Sequence, residues 1–416
     1  LPAALLLDPR RALAAVPDGG PAASTLAPQF VILSTSGNGD PINANVPGTY
    51  DDPNISHSHD PSMTPTSLSI GGQPYTAAAP WATLPPSVLD RTCFWHIATT
   101  TPVHPKEPNV LRLMDRTQSD EMVPSILSSQ LAPLLGTVQS QPISLGAASP
   151  SEGLTFGGQA LPILPALALK ATLTSAAGPL TNLQSLRDET MGSLYDLYKT
   201  DATRTQKAYV DSLVTSQAQV RKINQKLLEQ LASITDNSPA SQVLAAITLI
   251  QMRVTPVIAI HIPFGGDNHA DANLQTEAAQ TASGVQTIAS LMAQLASAGL
   301  SDQVTFMTLN VFGRTLGPSN TQGRQHNPNH QASITIGKGF RGGVIGGVAP
   351  VGTDYGAVAF SSKTGAASSG GDITPAESLA SFGETMLAAA GLSAQVVAGK
   401  ISGGTVVTGA LASSAT

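Results

Sequence analysis

"VTPVIAIHIPFGGDNHAD" (Val254–Asp271), "LQTEAAQTASGVQTIASLMAQLASAGL" (Leu274–Leu300) and "QVTFMTLNVFGRTLGPSN" (Gln303–Asn320) follow one another almost without a break. The first is a short apolar run that ends in a Gly-rich polar turn. The second repeats apolar residues at helical spacing and closes at Gly299. The third is again a short apolar run ending in a Gly turn. This alternation of strand, loop and helix predicts a parallel sheet with covering helices. The fold class expected is α/β, with a mainly parallel sheet flanked by helices.

Working outward, "QFVILSTS" (Gln29–Ser36) reads as a buried strand running into the turn "GNGDP". "CFWHIATTT" is a second strand, "PISLGAA" another, and "ASITIGKGFRGGVIGGV" adds two short ones. "SDEMVPSILSSQLAPLLG" reads as a helix with Ser119 as N-cap. "TPAESLASFGETMLAAAGL" is a late helix with Thr374 as N-cap and Pro375 at its first position. The stretch from Asn43 to Pro86 is loop, too long to be idle, and is expected to line or cover something. The stretch 178–252 changes character: charged and amphipathic, it reads as a helical insertion or cap. The expected organisation is 1–27, an N-terminal segment; 28–177, the first part of the α/β domain; 178–252, the insertion; 253–400, the second part; and 401–416, a flexible tail.

The chain has 416 residues, of which 12% are charged, with a net charge of −6. That balance gives no electrostatic reason to expect nucleic acid as a partner. No apolar run is long enough to cross a membrane. The lone cysteine, Cys93, sits in a strand and reads as an inert core thiol. The chain starts at Leu1 rather than Met, which we read as a mature protein whose targeting segment has been removed.

In open α/β sheets, ligands bind outside the carboxyl ends of the strands. The polar residues of this chain collect there: Asn38, Asp40, Asn43 and Asn45 after the first strand; Asp267, His269 and Asp271 after "VIAIHI"; Arg314, Thr315, Arg324, His326 and His330 after "VTFMTLN". Asp267 and His269, two residues apart, offer a carboxylate and an imidazole to one cation; the plainer reading is a helix cap and a surface histidine. "GRQHNPNH" (Gly323–His330) offers two histidines if the loop turns back at Pro328. "SHSHD" (Ser56–Asp60) reads as an exposed polar turn. Arg314 and Arg324 either clamp a phosphate or sulfate or pair with nearby carboxylates. His96 and His261 read as core histidines. In "HIATTTPVH" (His96–His104), Thr101 is a candidate nucleophile. There is no GxSxG elbow, no P-loop and no dinucleotide fingerprint.

The set "GGDNHAD…FGRT…GRQHNPNH…GGVIGG", with the opening strand "VILSTSGNGDPINANVPGTY", resembles the bacterial exported family called domain of unknown function 1501, itself similar to alkaline phosphatases and sulfatases. The resemblance implies an alkaline-phosphatase-like fold, twin-arginine export to the periplasm or beyond, and a site for divalent metal (zinc, manganese or calcium). Asp40, Asp267, His269 and His326, with His330, would hold the metal; Arg314 or Arg324 would meet an anion. Asp267 and His269 match the family's "GWDTH", Arg314 and Thr315 its "EFGRT", and Arg324 and His326 its "GRDH". Val311 and Gln325 stand where the family has glutamate and aspartate. The loss of these acids implies a degenerate metal site or none. The expectation is a non-catalytic envelope component that binds a small anion or a protein partner. The alternative is a metal-dependent phosphate- or sulfate-ester hydrolase.

Overall fold

The computed structural model describes residues 26–149, 153–174, 184–221, 225–317 and 322–412. Most of the N-terminal segment expected at 1–27, and the last four residues of the tail, lie outside them. Seven strands form one sheet: β1 (Phe30–Ser36), β2 (Thr92–Ile97), β3 (Ile143–Ser144), β4 (Val257–Ile260), β5 (Val304–Asn310), β6 (Gln331–Ile336) and β7 (Gly343–Ile345). Their spatial order is β7-β2-β6-β5-β1-β4-β3. β3, β4, β1 and β5 are mutually parallel and β7 is parallel to β2; β6 runs against both of its neighbours. The sheet is thus mainly parallel, as the opening stretch predicts.

Alternation along the strands builds two cores. Phe30 and Ile32 of β1 enter one, with Val243 and Ile247 of α2 (Pro239–Gln251) and Val285, Ile288 and Leu291 of α3 (Gln275–Ser297). Val31 and Leu33 enter the other, with Ile126 and Leu127 of α1 (Val123–Leu135) and Leu379 and Phe382 of α4 (Pro375–Ala389). A strand buried on both faces needs a continuous apolar run, which is why "FVILSTS" carries no charge. Each fully buried large apolar side chain contributes roughly 1.5–3 kcal/mol.

Several local expectations are corrected. Helix α1 begins at Val123 after Met122, not at Ser119, which lies in a preceding turn with φ of 60°. Pro124 fits the first turn, where its missing N–H costs nothing. Within 178–252, the amphipathic helices Gln184–Asp201, Arg204–Arg221 and Gln225–Ala232 precede α2, which belongs to the cover of the sheet. The charges stop at Asp236, and "VLAAITLI" beyond it has no polar face to give to water. The tail is not loose over 401–412: Ile401, Val407, Ala410 and Leu411 are buried in the second core. At α4, Glu377 reaches back to accept the N–H of Thr374 at 3.0 Å, closing the expected cap. Cys93 is buried, donates to the Arg341 carbonyl at 3.2 Å, and has its thiol pushed up to about 12 by burial.

The reversal of β6 sets where its preceding loop lies. The first residue of the strand sits at the edge where the parallel strands end, so that loop arrives there too.

Candidate metal centre

Four side chains meet at that edge. His104 comes from the loop after β2, Asp267 and His269 from the turn after β4, and His326 from the loop before β6. One ligating atom from each lies within 4.8 Å of all the others. The contacts run His269 Nε2 to His326 Nε2 at 2.8 Å, His269 Nε2 to Asp267 Oδ1 at 3.2 Å, and His104 Nε2 to Asp267 Oδ2 at 3.5 Å.

The outer nitrogens decide how these rings are protonated. His104 Nδ1 faces the Gly37 carbonyl at 2.7 Å, His326 Nδ1 faces the Pro102 carbonyl, and His269 Nδ1 faces Gln325 Oε1 at 3.0 Å. The Gly37 and Pro102 carbonyls can only receive a hydrogen bond, so His104 and His326 each carry a proton on Nδ1; Gln325, with its amide oxygen toward the ring, gives His269 the same tautomer. Each Nε2 lone pair is then turned inward. The two Nε2 atoms of His269 and His326 lie 2.8 Å apart, a contact that a shared proton or a cation would satisfy; His269 Nε2 also lies 3.3 Å from the Arg314 guanidinium, which can donate to it. Zinc–nitrogen and zinc–oxygen bonds of about 2.0–2.1 Å place tetrahedral ligand atoms about 3.3 Å apart; the three contacts above fall on either side of that spacing.

The local electrostatics bear on which forms of these groups are present. Burial pulls the Asp267 carboxyl upward, but the hydrogen bond and charge of Arg314, with His104 and His269, outweigh it and hold the group below its ordinary range. Burial, with the charges of Arg314, His104 and His269, lowers His326 below its ordinary value, against an opposing bond to Pro102. An anionic carboxylate and a neutral imidazole are the forms that ligate.

The backbone here is laced together. Gly313–Arg314 pairs antiparallel with His326–Asn327, setting Arg314 opposite His326. Arg324 N donates to the Asn268 carbonyl and Asp271 N to the Gln322 carbonyl, each at 3.0 Å. At Gly323 (φ of 125°) a Cβ would strike the carbonyls of His269 and Asn268, so only glycine brings these two loops so close.

Other expected site residues fall elsewhere. Arg314 is fully buried and gives its guanidinium to Asp267 Oδ1 (2.7 Å), the Asn38 carbonyl (2.6 Å), the Gly39 carbonyl and the Arg324 carbonyl (3.3 Å). Arg324 makes a two-pronged pair with buried Glu277 at 2.7 and 3.1 Å and donates to the carbonyls of Thr315 and Ser56. Neither arginine is free to clamp an anion. His330 is not in the cluster; it is fully buried and stacks on His96, with ring centroids 5.1 Å apart. Thr101 is buried and stands outside the four. Asp40 is buried and also stands outside the four. Burial raises its carboxyl above the ordinary range, against the opposing influence of His261 and Arg314. The cap of the helix after the turn is Asp271, not Asp267: its oxygens accept the N–H groups of Thr276 and Glu277 at 2.9 Å. His261 is only half-buried, and His57 rests on Tyr50 with centroids 3.9 Å apart.

His104 was not among the ligands expected from the sequence. Its signal was present in "HIATTTPVH", which carries a histidine a short loop beyond a strand's carboxyl end. Of the two departures, Val311 is packed in the second core and adds nothing to the cluster, while Gln325 orients His269.

Fold and site together define an α/β protein with a candidate metal centre at the carboxyl edge of its sheet. Residues 148–363 match the family described as Protein of unknown function (DUF1501), and the chain belongs to that family. The match takes in Asp267, His269 and His326, while His104 lies outside it. No curated protein matches the chain.

Proposed function

We propose that this chain is a metal-binding protein with one mononuclear centre, held for binding or assembly rather than for ester hydrolysis. The observation that carries the reading is the gathering of one ligating atom each from His104, Asp267, His269 and His326, with the three outer Nδ1 atoms facing oxygen acceptors. Metal-bound histidines characteristically tie down their second nitrogen in this way. Three imidazoles and a carboxylate suit zinc or a similar borderline ion. Calcium, which takes six to eight oxygens, is disfavoured by this donor set.

Four protein ligands are the mark of a structural zinc site, whereas catalytic sites keep a position open. The ester-hydrolase alternative also lacks support from the arginines, both spent inside the protein, and from Thr101. An alkaline-phosphatase-like descent and twin-arginine export belong to the same proposal, and rest on the resemblance of the motif loops.

The test is a titration of metal-free protein with zinc against a chromophoric chelator. One zinc per chain is expected, with binding lost in His269→Ala. Absence of binding by the wild-type protein would sink the reading. Robust metal-dependent hydrolysis of aryl phosphates or sulfates would favour the alternative.

A further inference from the structure

Behind the cluster lies a second line of polar groups, fully buried, that the metal does not need for its own shell. His96 Nε2 faces the Pro47 carbonyl at 2.8 Å, and His96 Nδ1 faces His330 Nε2 at 2.8 Å. His330 Nδ1 meets Asn43 Nδ2 at 3.2 Å. Asn43 Nδ2 also donates to the Arg314 carbonyl at 2.8 Å, and Asn43 Oδ1 accepts the Arg314 N–H at 3.0 Å. His96, His330, Asn43 and Arg314 have essentially no solvent exposure.

The direction of every hydrogen in this line follows from one end. The Pro47 carbonyl only accepts, so His96 carries its proton on Nε2. Its Nδ1 must then accept, so His330 carries its proton on Nε2. His330 Nδ1 is left as an acceptor and takes a hydrogen from the Asn43 amide. That choice fixes which way the amide faces. Turned over, Asn43 would set its NH2 against the Arg314 N–H, and an oxygen against both the Arg314 carbonyl and His330 Nδ1. Burial keeps both rings neutral, as this line requires.

We infer that Asn43, oriented by the His330–His96 pair, is a positioning residue for the metal centre: it fixes the backbone of Arg314, and Arg314 fixes Asp267. The Arg314 guanidinium reaches Asp267 Oδ1 at 2.7 Å and His269 Nε2 at 3.3 Å, so a shift of its backbone moves two of the four ligands. The inference rests on the proposal that the cluster binds metal.

Asn43→Asp tests it, because the shape is kept and both donors are lost. Zinc affinity of the variant is expected to fall about tenfold or more, as when a supporting group outside the ligand shell is removed. Selective histidine labelling supplies a readout that a merely structural role would not move. In the wild-type protein at pH 7, His96 and His330 should carry their protons on Nε2. In Asn43→Asp the His330 signal should change to a ring protonated on Nδ1. Wild-type zinc affinity in a folded Asn43→Asp protein overturns the inference and leaves the metal reading intact. No zinc binding by the wild-type chain overturns both. Should the variant fail to fold, the wild-type spectrum decides: a His330 protonated on Nδ1, or charged, at pH 7 overturns the inference.

Discussion

Two short stretches, "HIATTTPVH" and "GRQHNPNH", each send one histidine into the buried pair and one into the open cluster. His96 and His330 meet where β2 pairs with the residues around the start of β6, sealed from water. His104 and His326 lie beyond the strand ends, where the side chains stay partly exposed. The chemistry of the ring is the same in both places. In the buried pair each nitrogen is matched donor to acceptor, so nothing remains to bind. In the cluster the outer Nδ1 atoms face oxygens and the inner Nε2 atoms gather with Asp267 at one place, a set that could hold a cation. Four histidines from two loops therefore split into a scaffold and a site according to which nitrogen finds an oxygen.

The most damaging way to break this division is to remove the clasp that ties the second of these stretches to α3. Arg324→Ala leaves Glu277 buried without its cation, and a loss of about 3–5 kcal/mol is expected in denaturant unfolding. A change under about 1 kcal/mol would mean that the clasp is not tightly closed in solution.

Next, the two histidines of "GRQHNPNH" should fail differently. His330→Ala removes a buried ring and strands the His96 acceptor, costing about 2–4 kcal/mol of stability. His326→Ala should change stability by less than about 1 kcal/mol and reduce zinc affinity by roughly a hundredfold or more. Paired melting curves and chelator titrations of the metal-free proteins check both. Equal stability losses would erase the distinction between scaffold and site.

Gln325→Leu sharpens it further. His269 would lose the acceptor that holds its proton on Nδ1, and zinc affinity should drop about 10–100-fold with the fold intact. An unchanged affinity would show that Gln325 has no part in aiming the ring.

The smallest effect concerns Asp40. Its carboxyl is raised by burial in the folded chain, so the folded state holds the proton more tightly than the unfolded state. The penalty is absent below the ordinary carboxylate pKa of 3.8 and grows as pH rises through the interval up to the raised folded value. Asp40→Asn should therefore stabilise the protein at pH 8 by about 1 kcal/mol, flatten this part of the pH dependence, and leave zinc affinity unchanged. A fall in zinc affinity would return Asp40 to the ligand set.

These outcomes bear on what the sequence can show. The parallel sheet was legible because β1, β4 and β5 are apolar on both faces, a pattern that few other settings tolerate. The edge where polar groups gather was legible for the same reason, since strand ends are marked by Gly turns. Asp267, His269 and His326 could be named in advance as candidates, and the fold brings them together. His104 could not be told from an ordinary loop histidine, because its partnership depends on β2 ending beside strands made of distant residues. The two arginines misled because spacing shows that a cation is available but not whether a carboxylate has already taken it. Glu277 lies within an amphipathic helix, and nothing in that pattern marks it as the partner of Arg324. The division of labour between His326 and His330 was equally hidden, since it turns on the reversed direction of β6.

That reversal also has a consequence in time. Among the described residues, β2 pairs with no strand of the sheet except β6 and β7, and more than half the chain's length separates Ile97 from Gln331. As the polypeptide leaves the ribosome, "TCFWHI" must wait, apolar on both sides, until nearly the whole of the rest has been made. Pairing at such separation closes slowly, and an unpartnered apolar strand is the kind of segment that sticks to other chains meanwhile. His104, attached beyond its far end, is then carried into place with the last partners of the sheet. The four side chains of the cluster therefore cannot come together before β6 has been made.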